Sequence, residues 1–171
     1  MTLQHILLKK HAKSTTESVI NWVGDDVDRF DSLMKLVLGQ DQQLAQRAAW
    51  AMSYLVTEQP QLIYPYLDQL LTSVQQPVHD AIKRNTFRFL KEIEIPESSL
   101  SLAVDTCFKI LENKKESIAV TCFALHTLLH YSKIIPELKN EILFVLELHQ
   151  DTEAPAVRST IRKVKKAFHL K

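Results

Sequence analysis

Glycine is almost absent from this chain, and its absence restricts the possible folds more than any other feature. Only two glycines, Gly24 and Gly39, occur among 171 residues. Glycine is the default residue for the tight turns of β-hairpins and for loops whose backbone wraps around a phosphate. The scarcity argues against a β-rich fold and against a Gly-rich nucleotide-binding loop. Helices remain as the main element.

The composition is that of an ordinary globular protein, with 46% hydrophobic and 24% charged residues. No window approaches the roughly 20 apolar residues of a membrane-spanning helix. Lys9 and Lys10 follow the short apolar stretch at the N-terminus, whereas a secretory signal has its positive charges first. Cys107 and Cys122 are too few for a disulfide framework. We therefore expect one soluble domain over residues 1–171, in the reducing environment of the cytoplasm.

Helix signals recur along the whole chain, with little sequence between them. Apolar residues repeat at the 3.6-residue spacing of an amphipathic helix, and Asp and Pro residues stand where several helices begin. Ser14 is expected to cap the second helix, and Ser98 or Ser99 the seventh. Connections of about two to six residues place consecutive helices side by side and antiparallel. The sequence predicts ten helices, over residues 3–12, 15–23, 25–38, 41–57, 66–74, 77–94, 98–112, 115–131, 136–149 and 155–170.

The helices form pairs that repeat along the sequence. Arg47 is followed three residues later by Trp50, and Arg84 and Phe87 repeat this step about 37 residues further on. Phe123 continues the same spacing. A helical hairpin of this length cannot bury its apolar faces alone, so neighbouring hairpins must stack on it. The predicted fold class is all-α: an α-α superhelix, in the form of a short right-handed solenoid of about five antiparallel helix pairs.

The repeating pattern resembles HEAT repeats and their armadillo relatives. That family has an Asp in the turn between paired helices, six residues before an Arg near the start of the second helix, as Asp41 and Arg47 are here. Val157 and Arg158 look like the family's Val-Arg step. The resemblance covers residues 25–171. It implies an α-solenoid that serves as a scaffold for proteins, although a minority of such solenoids bind nucleic acids.

No catalytic or metal-binding motif accompanies these helices. Cys122, His126 and His130 lie on one helical face at four-residue intervals, but the outer two are about 12 Å apart along the axis and cannot share an ion. We interpret these three as residues of a helix interface. His79 and Asp80 point in different directions around their helix, which favours a capping or solvated role. The sequence predicts no metal, no cofactor, no identifiable small-molecule substrate and no enzymatic activity.

The second helices of the pairs carry a candidate binding surface. In HEAT-like solenoids these helices line the concave face, and here their aromatic and cationic residues are displaced from the apolar stripe. Aromatic and Arg side chains are enriched where partners dock, whereas packing between repeats is the alternative role for Trp50 and Phe87. The candidate partner-binding residues are Gln43, Arg47, Trp50, Tyr54, Lys83, Arg84, Phe87, Lys91, Arg162 and Lys166.

The apolar stripes also predict core residues. Met52, Phe89 and Leu125 lie on or near the stripes of three second helices and should be buried. In the last helix, Val157, Ile161, Val164 and Phe168 form the stripe. Its cationic residues Arg162, Lys163 and Lys166 should face away from the core.

Charge is divided between the two sets of helices. First helices carry a net negative formal charge and second helices a net positive one, most of it in the last helix, residues 155–171. Either the polar outer face of a terminal repeat or a nucleic-acid footprint accounts for that helix. The leading hypothesis is a non-catalytic scaffold that binds a protein along its second helices. The alternative is a nucleic-acid-binding solenoid that resembles helical-repeat DNA glycosylases but has no carboxylate among its groove aromatics.

Overall fold

The protein is a stack of antiparallel helices. The computed structural model describes residues 2–9 and 12–169. These residues form ten α-helices and two 3-10 turns, with no strand among them. The predicted helical residues 10, 11 and 170, and the charge of Lys171, lie outside the described residues. The helices are α1 Leu3–Lys9, α2 Lys13–Val23, α3 Val27–Val37, α4 Gln42–Glu58, α5 Leu67–Val74, α6 Asp80–Leu90, α7 Glu97–Glu112, α8 Ile118–Tyr131, α9 Leu138–Leu148 and α10 Pro155–Ala167.

Alternate helices form two layers. Helices α2, α4, α6, α8 and α10 lie in one row, the second-helix layer, in which each helix packs against the next. Helices α1, α3, α5, α7 and α9 form the first-helix layer, in which α7 packs between α5 and α9. The first four helices of this layer also pack on the helix that follows each of them, and α9 packs on α8. The predicted all-α superhelix is confirmed.

One hydrophobic core runs the length of the stack, between the layers. Met52, Phe89 and Leu125, the predicted core residues of three second helices, have no exposed surface. In α10, Val157, Ile161 and Val164 are buried, as predicted, and Phe168 is half-buried. Among the described residues, no helix is long and apolar enough to cross a membrane.

Side-chain caps fix several helix starts. The Asp41 carboxylate accepts hydrogen bonds of 3.0 Å from two backbone N–H groups in the first turn of α4. His79 Nδ1 accepts one of 3.1 Å at the start of α6, which confirms its predicted capping role. This cap sets the start of α6 at Asp80 rather than at Pro77 as predicted. Gly24 ends α2 at a φ of 56°, a value that glycine adopts without strain.

Two predicted serine caps are wrong. Ser14 is already inside α2, which begins at Lys13. Ser98 and Ser99 lie inside α7, which begins at Glu97. Neither helix has a side-chain cap at its start. Both helices begin before the serine that the capping preference of this residue indicated.

Candidate functional site

A cavity of about 240 Å³ opens on the second-helix layer between α4 and α6. We call it the α4–α6 notch. Gln46 and Trp50 are four positions apart on α4, and Ala81, Arg84 and Arg88 are three and four apart on α6, a spacing that places each set on one face of its helix. The lining residues are Gln46 and Trp50 from α4, and Ala81, Arg84, Asn85 and Arg88 from α6.

An aromatic and cationic cluster lies at the notch. The Arg88 guanidinium carbon is 4.9 Å from the centroid of the Tyr54 ring, and Arg88 Nη2 donates a hydrogen bond of 3.2 Å to the Tyr54 hydroxyl. Hydrogen bonds from Arg88 and then Trp50, together with the Arg88 charge, hold the pKa of the Tyr54 phenol below its usual value. Tyr54 remains 37% exposed and Trp50 is half-buried. The cluster is therefore ordered by its own contacts yet accessible to a partner.

A buried polar pair joins the two helices beneath this cluster. The single proton of the Ser53 hydroxyl is shared between two acceptors, the Trp50 carbonyl at 2.9 Å and Asn85 Oδ1 at 3.2 Å, and Asn85 Nδ2 donates to the Ala81 carbonyl at 2.8 Å. Both side chains are buried. A satisfied buried polar network rigidifies its surroundings. This pair therefore fixes the spacing of α4 and α6, on which the shape of the notch depends.

Arg84 supplies a second cation to the notch. Its guanidinium lies 3.9 Å from the Asp80 carboxylate one turn earlier, and both side chains are about half exposed. An ion pair at such a distance and exposure contributes little free energy. Arg84 can therefore exchange this contact for an anionic group of a partner at small cost.

Three of the predicted binding residues are held by the fold instead. Phe87 is completely buried, so the expectation that it projects into a groove is wrong. Arg47 Nη1 donates to the Leu7 carbonyl at 2.6 Å and so ties α4 to α1. Lys83 Nζ lies 2.5 Å from Glu116 Oε1 in a largely buried salt bridge. A second helix has neighbours on both flanks, so the side opposite its main apolar stripe is only partly open to solvent.

Two further candidates lie beside the notch rather than in it. Gln43 is exposed in the first turn of α4, about two turns before Trp50. Lys91 immediately follows α6 and forms an ion pair with Glu92, and its ammonium lies 5.7 Å from the centroid of the Phe123 ring. Lys91 therefore belongs to the junction of α6 and α8.

The last two candidates are on a separate part of the layer. Arg162 and Lys166 are exposed on α10, which packs against α8. The structure thus brings together three of the ten sequence-predicted residues, Trp50, Tyr54 and Arg84. It adds Arg88 as their fourth member.

Sequence reasoning missed Arg88 and Asn85 for different reasons. Arg88 lies four residues after Arg84, and this spacing alone places both cations on one helical face. The signal for Arg88 was therefore present. The sequence contained no such signal for Asn85, because its bond to Ser53 crosses from α6 to α4 and depends on how the two helices pack.

The histidines of α8 line another opening, between α6 and α8. This cavity of about 400 Å³ includes Lys91, Phe123, His126 and His130 among its lining residues. Burial, then the nearby charges of Lys163 and Lys91, lower the pKa of His126. Within residues 2–9 and 12–169, no group of three or more His, Cys, Asp or Glu side chains is arranged to hold a metal.

Helix pairs stacked in two layers, with an accessible cavity on the second-helix layer, define a helical-repeat solenoid. The chain belongs to the HEAT repeat family, because the family model, a HEAT repeat domain, matches residues 3–168. The match begins at α1, whereas the sequence resemblance began only at residue 25. The pair formed by α1 and α2 is therefore included in the matched domain.

A solved structure has the same architecture. It is a designed armadillo repeat protein in complex with a (KR)4 peptide, and it aligns with a TM-score of 0.66 and 15% sequence identity. The alignment covers 97% of this chain and 80% of that chain. At this level of identity the similarity shows a common fold. No curated protein matches the sequence.

Proposed function

We propose that the protein is a non-catalytic interaction module that binds a segment of another protein on its second-helix layer. The observation that carries this proposal is the α4–α6 notch, where Trp50 and Tyr54 lie beside Arg84 and Arg88. Trp, Tyr and Arg are the residues that most often dominate the binding energy of protein interfaces. The family supports the proposal, since stacked helical repeats commonly serve as protein-interaction scaffolds.

The chemistry of the notch favours an acidic segment. Arg84 and Arg88 offer two guanidinium groups, which bind carboxylates through paired, charge-assisted hydrogen bonds. The accessible part of the Trp50 ring offers an apolar surface in the same notch. The peptide bound by the designed armadillo repeat protein is basic, and the two arginines of the α4–α6 notch would repel a peptide of that kind. A carboxylate next to an apolar side chain fits this notch better.

The free cysteines support a cytoplasmic location, which we also propose. Cys107 and Cys122 are both unpaired, and Cys107 is buried. Burial raises the pKa of the Cys107 thiol, so that it stays protonated and unreactive. Reduced cysteines are typical of cytoplasmic proteins.

Binding to a recovered partner tests the proposed function. The protein is used to recover partners from lysate of its source cells at low and high salt after nuclease treatment. The Arg84→Glu/Arg88→Glu variant should bind the recovered protein at least tenfold more weakly. The matched control is Arg162→Glu/Lys166→Glu, which makes the same change of charge on α10 and should bind like wild type. Full binding by the notch variant would contradict the proposal.

Helix α10 favours a second candidate function, the binding of a nucleic acid. Arg158, Arg162, Lys163 and Lys166 are exposed on this helix, which contains no acidic residue. Phosphate contacts by such residues release counterions and make the affinity fall steeply with salt. Changing Arg162, Lys163 and Lys166 to Glu should then weaken nucleic-acid binding and flatten its salt dependence. Gel shifts at fixed salt that are unaffected by the changes would remove α10 from the site.

A further inference from the structure

The first-helix layer has an apolar groove that the proposed function does not use. It lies between α7 and α9 and has a volume of about 540 Å³. Its apolar lining comes from Phe108 of α7 and from Phe144, Val145 and Leu148 of α9. We call it the α7–α9 groove.

Phe144 is the feature of this groove that packing within the chain does not explain. It is 67% exposed, more than any other large hydrophobic side chain in the described residues. Helix α9 already buries Leu138, Ile142, Val145 and Leu146 in the core. Phe144 is thus not part of the core, and it lines the groove together with the half-buried Phe108 and Leu148. A contiguous apolar patch of this kind marks a surface on which another molecule packs.

The rim of the groove is acidic. Asp105 and Glu112 of α7 and Glu141 of α9 are all exposed at its edge. Lys109 also lines the groove, but its ammonium donates a hydrogen bond of 3.0 Å to Gln75 Oε1, away from α9. The groove therefore combines an apolar floor with a negative rim, the opposite charge to that of the α4–α6 notch.

We infer that the α7–α9 groove binds a short amphipathic helix of another protein, with apolar side chains on one face and lysine or arginine along its edges. The lining residues of α9, from Asn140 to Leu148, span about 12 Å, which is about two helical turns. An amphipathic helix has apolar side chains on one face at intervals of three or four residues, and a groove between two helices accepts that face. The acidic rim selects basic edges.

A second copy of this chain does not fit the groove. If two copies met through the same groove, two acidic rims formed by Asp105, Glu112 and Glu141 would come together and repel each other. The basic helix α10 has the right charge, but its apolar residues Val157, Ile161 and Val164 are buried in its own stack. A helix that has basic charges but no exposed apolar face, such as α10, cannot pack on the apolar floor of the groove.

Two synthetic peptides provide the test, using the full chain. Both have 14 residues and leucines at i, i+3, i+7 and i+10; one has lysines on the flanking positions and the other has glutamates. We expect the lysine peptide to bind at least tenfold more tightly by fluorescence anisotropy. Phe144→Ala should weaken its binding at least tenfold. The control Val27→Ala, which trims another highly exposed apolar side chain on α3, should have no effect.

A charge swap makes the test specific to the rim. The variant Asp105→Lys/Glu141→Lys should reverse the preference, so that the glutamate peptide binds more tightly than the lysine peptide. Failure of the lysine peptide to bind, equal binding of the two peptides, or full binding by Phe144→Ala would overturn the inference. Concentration-dependent self-association that Phe144→Ala abolishes would also overturn it, because the occupant would then be a second copy. Changes in the α4–α6 notch should affect none of these measurements.

Discussion

Arg47 joins two helices that lie far apart in the sequence. Its Nη1 donates to the carbonyl of Leu7, in the last turn of α1, at 2.6 Å. Carbonyls in the last turn of a helix commonly take partners from outside the helix, and Arg47 is such a partner for the Leu7 carbonyl. The contact makes Arg47 part of the scaffold on which the α4–α6 notch is built.

Removing this contact should loosen the first repeat. We expect Arg47→Ala to lower the free energy of unfolding by about 1.5 to 3 kcal/mol, the usual worth of a hydrogen bond from a charged group. Urea denaturation measures the loss, and hydrogen exchange should show reduced protection of the α1 amides. Unchanged exchange in α1 would show that Arg47 does not hold this helix.

Phe87 and Phe144 are two phenylalanines in opposite environments, which makes them a matched pair. Phe87 is fully buried and Phe144 is mostly exposed. Phe87→Ala should cost about 3 to 5 kcal/mol of unfolding free energy, since it removes buried area and leaves a cavity. Phe144→Ala should change stability by less than about 0.5 kcal/mol. Equal losses in chemical denaturation would contradict the placement of Phe87 in the core.

His126 makes stability depend on pH. Burial and then the charges of Lys163 and Lys91 lower its pKa in the folded state, while Glu92 opposes them. The unfolded state therefore binds more protons between the two pKa values, and stability falls as pH drops below about 6.5, the ordinary histidine value. His126→Gln should reduce the loss of melting temperature between about pH 7 and pH 5. An identical pH profile in the variant would exclude His126 as the source.

At the scale of helices, the sequence predicted much of the fold because its signals are local. Asp41, Pro155 and the apolar stripes act within one or two turns, and all ten helices exist with shifted ends. Whether a candidate binding residue is accessible depends on which helices lie beside its own helix, and this was not predicted from the sequence. Phe87 and Trp50 have the same place in the repeat pattern, yet the first is buried and the second is accessible. Periodicity within one helix contains no information on its flanking neighbours.

The salt bridge between Lys83 and Glu116 links α6 to the connection between α7 and α8. The two side chains are only 13% and 8% exposed, and Asn113 Nδ2 donates a further hydrogen bond of 3.1 Å to Glu116. Lys83→Met leaves a carboxylate buried without its cation, which should cost about 3 to 5 kcal/mol.

A double-mutant cycle checks this coupling. The pair Lys83→Met/Glu116→Gln removes both charges, so it should lose less unfolding free energy than the sum of the single changes. Simple additivity in urea denaturation would show that the two groups do not stabilise each other.

At the scale of the whole molecule, α10 covers a side of α8 that would otherwise be exposed to solvent. Its buried residues Val157, Ile161 and Val164 complete the core there, while Arg162, Lys163 and Lys166 are exposed to solvent. Deleting residues 155–171 should expose the apolar surface of α8 and cause aggregation in light scattering. The charge reversal of Arg162, Lys163 and Lys166 to Glu should leave a monodisperse, folded protein. Aggregation of the charge-reversed protein to the same extent would refute this separation of roles.

The two layers present surfaces of opposite character. The second-helix layer has the α4–α6 notch with its two arginines, and the first-helix layer has the α7–α9 groove with its acidic rim. A solenoid holds such surfaces apart because each repeat contacts only its neighbours. We therefore expect the two proposed partners to bind independently.

Site-specific photo-crosslinking tests most directly the claim that the protein partner binds at the α4–α6 notch. A photoreactive phenylalanine analogue is placed at Gln46, which lines the notch, or at Gln69, which is exposed on α5 in the other layer. We predict that the protein recovered from lysate cross-links from position 46 and not from position 69. The cross-link should disappear when Arg84 and Arg88 are changed to Glu. Cross-linking from position 69 alone, or a cross-link from position 46 that survives the arginine changes, would contradict the proposed site.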